Sequence, residues 1–233
     1  SGPRKPFLSR NLISNLMPSN LIASSCFRPN KVKAFKPVAA KVKLLTLLSI
    51  CSVLLRFPDT RSQVFNMRSA CINIQRGLNK KSDFLEAIAS HENLSFMGLC
   101  ETDWPQNNHP PSMQGFKSLI SQGPIARVTV YVKENIEVKQ IVYDGALPAV
   151  VFNTAQCSYA FIYSEFTKNP YQRDKERLSE KERVNIIIDF LEWFSLRCFK
   201  SSIVMGDFNV DWLSHTVSKR RILSWCSDHN FSQ

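Results

Sequence analysis

Asn73 and Gln75 in the stretch INIQRGL, Glu101 in GLCETDW, and Asp207 with Asn209 in IVMGDFN share one arrangement: each follows directly on an apolar run. In sheet-based α/β folds the carboxyl ends of strands are where loops converge on a crevice, so polar groups at several strand ends point to a common site. Carboxylate and amide oxygens gathered in this way suit a hard cation such as Mg²⁺, which takes oxygen ligands and keeps several waters. Taken singly, each cluster reads equally well as punctuation, because Asn and Asp are ordinary turn formers and a Glu after a strand is unremarkable.

The elements that must position these residues are legible in outline. Residues 71–75 form a short apolar strand that leads into a polar loop containing Gly77. A helix capped by Ser82 follows, with Leu85, Ile88 and Ala89 on one face. Residues 94–100 make a second apolar strand running into Glu101. Segments 127–133 and 136–143 alternate apolar and polar residues around a turn, the pattern of an antiparallel hairpin. Further strands are expected at 149–153 and 159–163. In 173–199, Val184, Ile187, Ile188, Leu191 and Phe194 recur at helical spacing, with Trp193 beside the stripe. Residues 202–205 give a buried strand ending in Gly206, and RRILSWCSDHNFSQ reads as an amphipathic helix closed by a turn at His229–Asn230. The order predicts an α/β fold of two packed, mixed or antiparallel sheets flanked by helices, a four-layer sandwich.

In this order and at these separations the motifs resemble the endonuclease/exonuclease/phosphatase superfamily, over about residues 70–233. INIQRGL is similar to the first-strand motif, whose Asn would be Asn73, and GLCET to the second, which places a metal-binding carboxylate on Glu101. AFIYSEF is similar to the motif that supplies a phosphate-contacting Tyr, here Tyr163. IVMGDFN matches the most diagnostic one, with Asp207 orienting or deprotonating the attacking water and Asn209 donating to the scissile phosphate. The resemblance thus implies Asp207, Asn209, Tyr163 and Asn73 as catalytic residues. Glu101, Asn73 and Asp207 would hold the metal, Mg²⁺ or Mn²⁺. Trp104, in the loop after Glu101, and Gln75 fall on the substrate side. Gln75 stands where apurinic-endonuclease relatives carry a second metal carboxylate, which implies weaker cation binding. Phe208 and the following Val210-Asp211-Trp212 look like the LINE-type (non-LTR) retrotransposon branch rather than the phosphoinositide phosphatases.

Ser227-Asp228-His229 spells the superfamily's final motif, but Asp228 follows Asp207 too closely to leave room for the helix, strands and further Asp motif that intervene in relatives. The expectation is therefore a C-terminally truncated domain, with the last Asp/His motif absent and central strands of one sheet missing. Unpaired edges and weak or no DNA-nicking activity would follow. A phosphomonoesterase of the same superfamily is the alternative enzyme, and a non-catalytic nucleic-acid-binding fragment the alternative of another class.

Charge divides the chain at about the same boundary. The net charge is +11 over 233 residues, yet residues 1–68 hold twelve Lys/Arg against the single acid Asp59, while residues 69–233 carry eighteen bases and eighteen acids. The excess belongs to a leader, residues 1–66, expected to be basic and disordered, and not to a basic surface on the domain of 67–233. If the leader alone held nucleic acid, binding would weaken steeply with salt. Its apolar run at 44–55 is shorter than the roughly 20 residues a membrane span needs, so no stable membrane insertion is expected. Its acid-poor composition allows a mitochondrial transit peptide, whereas a functional nuclease of this type would act in the nucleus. Seven cysteines form no CxxC pair, and the four histidines show neither HxxxH nor HExxH spacing. Neither a zinc site nor a disulfide framework is indicated, and the cysteines read as reduced thiols, several of them buried.

Overall fold

The structure, a computed structural model, describes residues 52–56 (main chain), 67–167, 176–198, 201–213 and 215–232. In chain order the elements are β1 (Ser52–Arg56), β2 (Ser69–Asn73), α1 (Leu78–His91), β3 (Phe96–Pro105), β4 (Phe116–Ile120), β5 (Ile125–Lys133), β6 (Lys139–Ile141) and β7 (Ala149–Asn153). There follow β8 (Ser158–Tyr163), α2 (Glu180–Arg197), β9 (Ser202–Asp207), α3 (Val217–Asp228) and β10 (Phe231–Ser232).

Strands buried on both faces read as continuous apolar runs, and the period of two decides which side chain serves which layer. Along β8, Tyr159, Phe161 and Tyr163 point to one side and Ala160 and Ile162 to the other. The same alternation in β7 sends Val150 and Phe152 inward, toward Phe96, Val128, Val130 and Val132 of a second sheet. Two sheets therefore pack face to face: β2-β3-β5-β4, and β10-β1-β9-β8-β7-β6. The outer face of the six-stranded sheet, through Val151, Ala160, Ile162 and Val204, meets Val184, Ile187 and Phe190 of α2 and Ile222 and Trp225 of α3. The outer face of the four-stranded sheet meets Leu78, Leu85 and Ala89 of α1. The result is the expected four-layer α/β sandwich. Gly98 permits the close approach of the sheets, since a β-carbon there would run into the ring of Phe161.

Several expectations are corrected. Helix α1 is not capped by Ser82; it begins at Leu78, four residues earlier, behind a left-handed Gly77 (φ 74°) with no side-chain cap. Residues 127–133 and 136–143 do not form a hairpin: β5 pairs with β3 and β4, whereas β6 joins the other sheet through β7. Packing overrides local alternation here, because a strand with seven consecutive buried residues, such as β5, needs partners on both edges. Helix α2 starts at Glu180, where Ser179 and Glu182 form a capping box.

The leader is corrected at one place. Ser52–Arg56, inside the stretch read as disordered, is a strand that pairs antiparallel with β9 over its whole length and with β10 at Leu55 and Arg56. With β8 on its other side, β9 is a central strand. The remaining leader, 1–51 and 57–66, lies outside the described residues. Among the described residues, no helix is long and apolar enough to cross a membrane, and the cysteines Cys71, Cys100, Cys157, Cys198 and Cys226 are thiols.

Candidate active site

The carboxyl ends of β2, β8 and β9 and the irregular stretch of β3 meet at one end of the sandwich. Asn73 closes β2 and is buried; its Nδ2 donates to Glu101 Oε1 at 2.9 Å and to Asp207 Oδ2 at 2.8 Å. Glu101 follows the buried run of β3, and Asp207 is the last residue of β9, so a single amide joins carboxylates from both sheets. Tyr163, ending β8, donates its hydroxyl to Glu101 Oε1 at 2.9 Å. Burial pushes the Tyr163 phenol above its ordinary range and nearby Glu101 pushes it further, against a pull downward from Arg127, so the group stays a neutral donor at working pH.

Backbone geometry turns these side chains inward. Gln75 and Arg76 (φ 49° and 68°) lie in the left-handed region, and Lys81 Nζ fastens their loop by donating to the carbonyls of Ile74 and Arg76. Glu101 and Asp103 (φ 56° and 49°) lie in an irregular stretch of β3 between Cys100 and Trp104, and the bulge aims Glu101 at Asn73. Asn209 is left-handed too (φ 50°). Its main-chain N–H donates to Asp207 Oδ1 at 3.0 Å, its Nδ2 donates to the Ser164 carbonyl at 2.5 Å, and its carbonyl accepts from the Arg183 guanidinium at 2.7 Å. Left-handed backbone at non-glycine residues costs energy, and it is concentrated here at the ends of β2, β3 and β9.

The structure thus brings together Asn73, Glu101, Tyr163 and Asp207, with Asn209 beside Asp207. Gln75 is exposed on the neighbouring loop, its main-chain N–H held by Asn73 Oδ1 at 2.9 Å. Trp104 is not brought to the cluster: it packs against the core beneath α1 and its Nε1 donates to the Asn108 carbonyl at 3.1 Å. His229 is the C-cap of α3, its ring stacked on Trp225 at 4.1 Å and hydrogen-bonded to that residue's carbonyl, as the helical reading of this segment required.

A set of charged residues escaped the sequence reading. Arg127, at the start of β5 and 7% exposed, is ion-paired to Asp103 and, through Nε at 2.7 Å, to Glu165. Its guanidinium lies 4.9 Å from the Tyr163 ring centroid. Arg76 holds the other oxygen of Asp103 at 2.6 Å. Burial raises the Glu165 carboxyl above its usual range and Arg127 opposes that rise. The signal that could have found Arg127 is a charge in the otherwise apolar and threonine run ARVTVYV.

Glu101 and Asp207 themselves make no ion pair among the described residues. Two carboxylates sharing an amide donor without a countercharge fit a hard cation. No group of three or more His, Cys, Asp or Glu side chains is placed to hold a metal among the described residues, so waters would complete the shell.

No family model matches the chain, and no curated protein matches it. Among solved structures, an AP endonuclease from Archaeoglobus fulgidus aligns with a TM-score of 0.52 at 11% identity, over 69% of this chain and 69% of that one. The endonuclease domain of a telomere-specific non-LTR retrotransposon aligns at TM-score 0.44 and 11% identity, over 69% of this chain and 70% of that one. An endonuclease/exonuclease/phosphatase family protein from Leptotrichia buccalis aligns at 0.43 and 14%, over 68% and 74%. What the chain shares with the archaeal enzyme is the fold: two β-sheets packed face to face between helices.

Proposed function

We propose that the chain is a phosphodiesterase assisted by a divalent cation, a DNA-nicking endonuclease of retrotransposon type. The observation that carries this reading is the Asn73 amide shared by Glu101 and Asp207, which sets two unneutralised carboxylates at the mouth where the strands end. Mg²⁺ or Mn²⁺ held by Glu101 and Asp207, which the Asn73 amide orients, would supply positive charge against the phosphate. Asp207, its other oxygen fixed by the Asn209 N–H, accepts the proton of a water as that water's oxygen joins phosphorus and the ester P–O bond breaks. The leaving oxygen takes a proton from solvent. Tyr163, a neutral donor, holds Glu101 in place. The domain spans 67–233 with β1 added from upstream, and a nuclease acting on DNA would work in the nucleus, with the mitochondrion as the alternative.

The test is relaxation of supercoiled plasmid with Mg²⁺ or Mn²⁺ by the full chain, by Asp207→Ala and by Glu101→Gln. The expected result is nicking that falls by about 100-fold or more in both variants, the scale for removing one member of a cooperating set. Nicking that survives in both would sink the assignment. Release of phosphate from monoesters with no nicking would favour the phosphomonoesterase instead.

A further inference from the structure

The two sheets meet through apolar side chains, Phe96, Val128 and Val130 against Phe152, Phe161 and Met205. Such contacts are non-directional and do not by themselves fix how far one sheet slides along the other. Yet the site draws Asn73 and Glu101 from one sheet and Tyr163 and Asp207 from the other, so its geometry depends on that slide. Polar ties across the site end must set it. Arg127 makes the ionic one: β5 belongs to the four-stranded sheet, while Glu165 lies two residues beyond the end of β8 in the six-stranded sheet. The same guanidinium pairs with Asp103, two residues beyond Glu101, and Asp103 pairs in turn with Arg76 in the loop after β2. An ion chain Arg76–Asp103–Arg127–Glu165 thus links the ends of three strands in one sheet to the end of β8 in the other.

We propose that Arg127 is a positioning residue for this site, a clamp between sheets that sets the distance at which Glu101 meets Tyr163 and Asp207. It acts through its neighbours: Nε is engaged by Glu165, another guanidinium nitrogen by Asp103, and it is the face of the Tyr163 ring, not its hydroxyl, that the cation approaches. What the clamped geometry is for rests on the phosphodiesterase reading; the clamp itself does not. The alternative is a purely electrostatic role, and it makes the opposite prediction. Deleting the buried positive charge that lies over the Tyr163 ring would then tighten binding of a divalent cation nearby.

The experiment compares the full chain with Arg127→Met and Arg127→Lys, using amide hydrogen exchange without metal and Mn²⁺ titration by calorimetry. Arg127→Met is expected to speed exchange in peptides covering 101–105 and 163–166 while α1 and α2 are unchanged, and Arg127→Lys to recover most of the protection. Mn²⁺ affinity is expected to fall about 10-fold in Arg127→Met, the scale seen when groups that orient metal ligands are removed. Unchanged exchange at both peptides, uniformly faster exchange over the chain, or tighter Mn²⁺ binding would overturn the clamp. If the parent chain binds no Mn²⁺, the metal reading fails while the exchange comparison still decides Arg127. If Arg127→Met does not fold by circular dichroism, Glu165→Gln takes its place. Faster exchange confined to 163–166 then supports the clamp, and unchanged exchange there refutes it.

Discussion

Asn73 shows how much one side chain settles at this site. Its amide has two donor hydrogens; one reaches each carboxylate, and its oxygen receives the Gln75 N–H. An amide saturated in this way cannot rotate without breaking three bonds, so it ties Glu101 and Asp207 to each other at whatever spacing the sheets allow. Burial acts differently on Cys157, between the sheets, where desolvation pushes the thiol up from 9.0 to about 12 despite a hydrogen bond with Tyr159 that opposes the rise. The folded chain therefore keeps a proton that the unfolded chain loses above pH 9.0. This contribution to stability is fully present below that pH and drains away as pH rises toward about 12. Urea midpoints measured at pH 8, 9 and 10 are expected to decline, and to decline less steeply in Cys157→Ala. An equal slope in that variant would show that the thiol is not shielded.

Among the elements, β9 carries the heaviest demand, since it must deliver Asp207 while packing on both faces and pairing on both edges. Gly206 is what lets it lie so close to β8: a β-carbon there would collide with the main-chain oxygen of Ile162, which cannot swing aside as a side-chain tip would. Gly206→Ala is expected to destabilise by about 1–3 kcal/mol, the usual cost of overpacking, and to displace Asp207. Chemical denaturation reports the first effect and plasmid nicking the second. A variant as stable and active as the parent would mean that β8 and β9 separate at little cost. Helix α2 needs no such contact at its start, because the Ser179–Glu182 capping box satisfies its first amides locally.

For the molecule as a whole, the six-stranded sheet is completed by chain from upstream of the site-bearing region. β1 covers the edge of β9 over five registered positions, satisfying main-chain groups that would otherwise offer themselves to another strand. A chain beginning at Met67 is therefore expected to melt several degrees lower than the full chain, or to aggregate at micromolar concentration, as followed by calorimetry and light scattering. Equal melting temperatures and a monodisperse short chain would show that β1 adds nothing to the sheet.

The α/β class, the strands that end in Asn73, Tyr163 and Asp207, the apolar run that leads into Glu101, and the long helix α2 were legible because each rests on local information: an apolar run, a helical period, a polar residue at the end; that β3 continues past Glu101 to Pro105 was not. Phe194 in the core of α2 and the helical setting of His229 followed from the same signals. Partners were not legible. The period of two marks 139–141 as strand-like but is silent on which sheet takes it, and β6 went to β7 and not to β5. Ser52–Arg56 sits in a basic stretch whose composition says nothing of the edge it would cover. Arg127 could be noticed as an odd charge, but its meaning came from Asp103, brought near by the pairing of β3 with β5, and from Glu165, adjacent only once two sheets had closed on each other. Alternation and capping are properties of neighbouring residues, and so the sequence alone determined which segments become strands and helices and which polar groups end them. Pairing and charge compensation join residues far apart in the chain, and these only the tertiary structure decided.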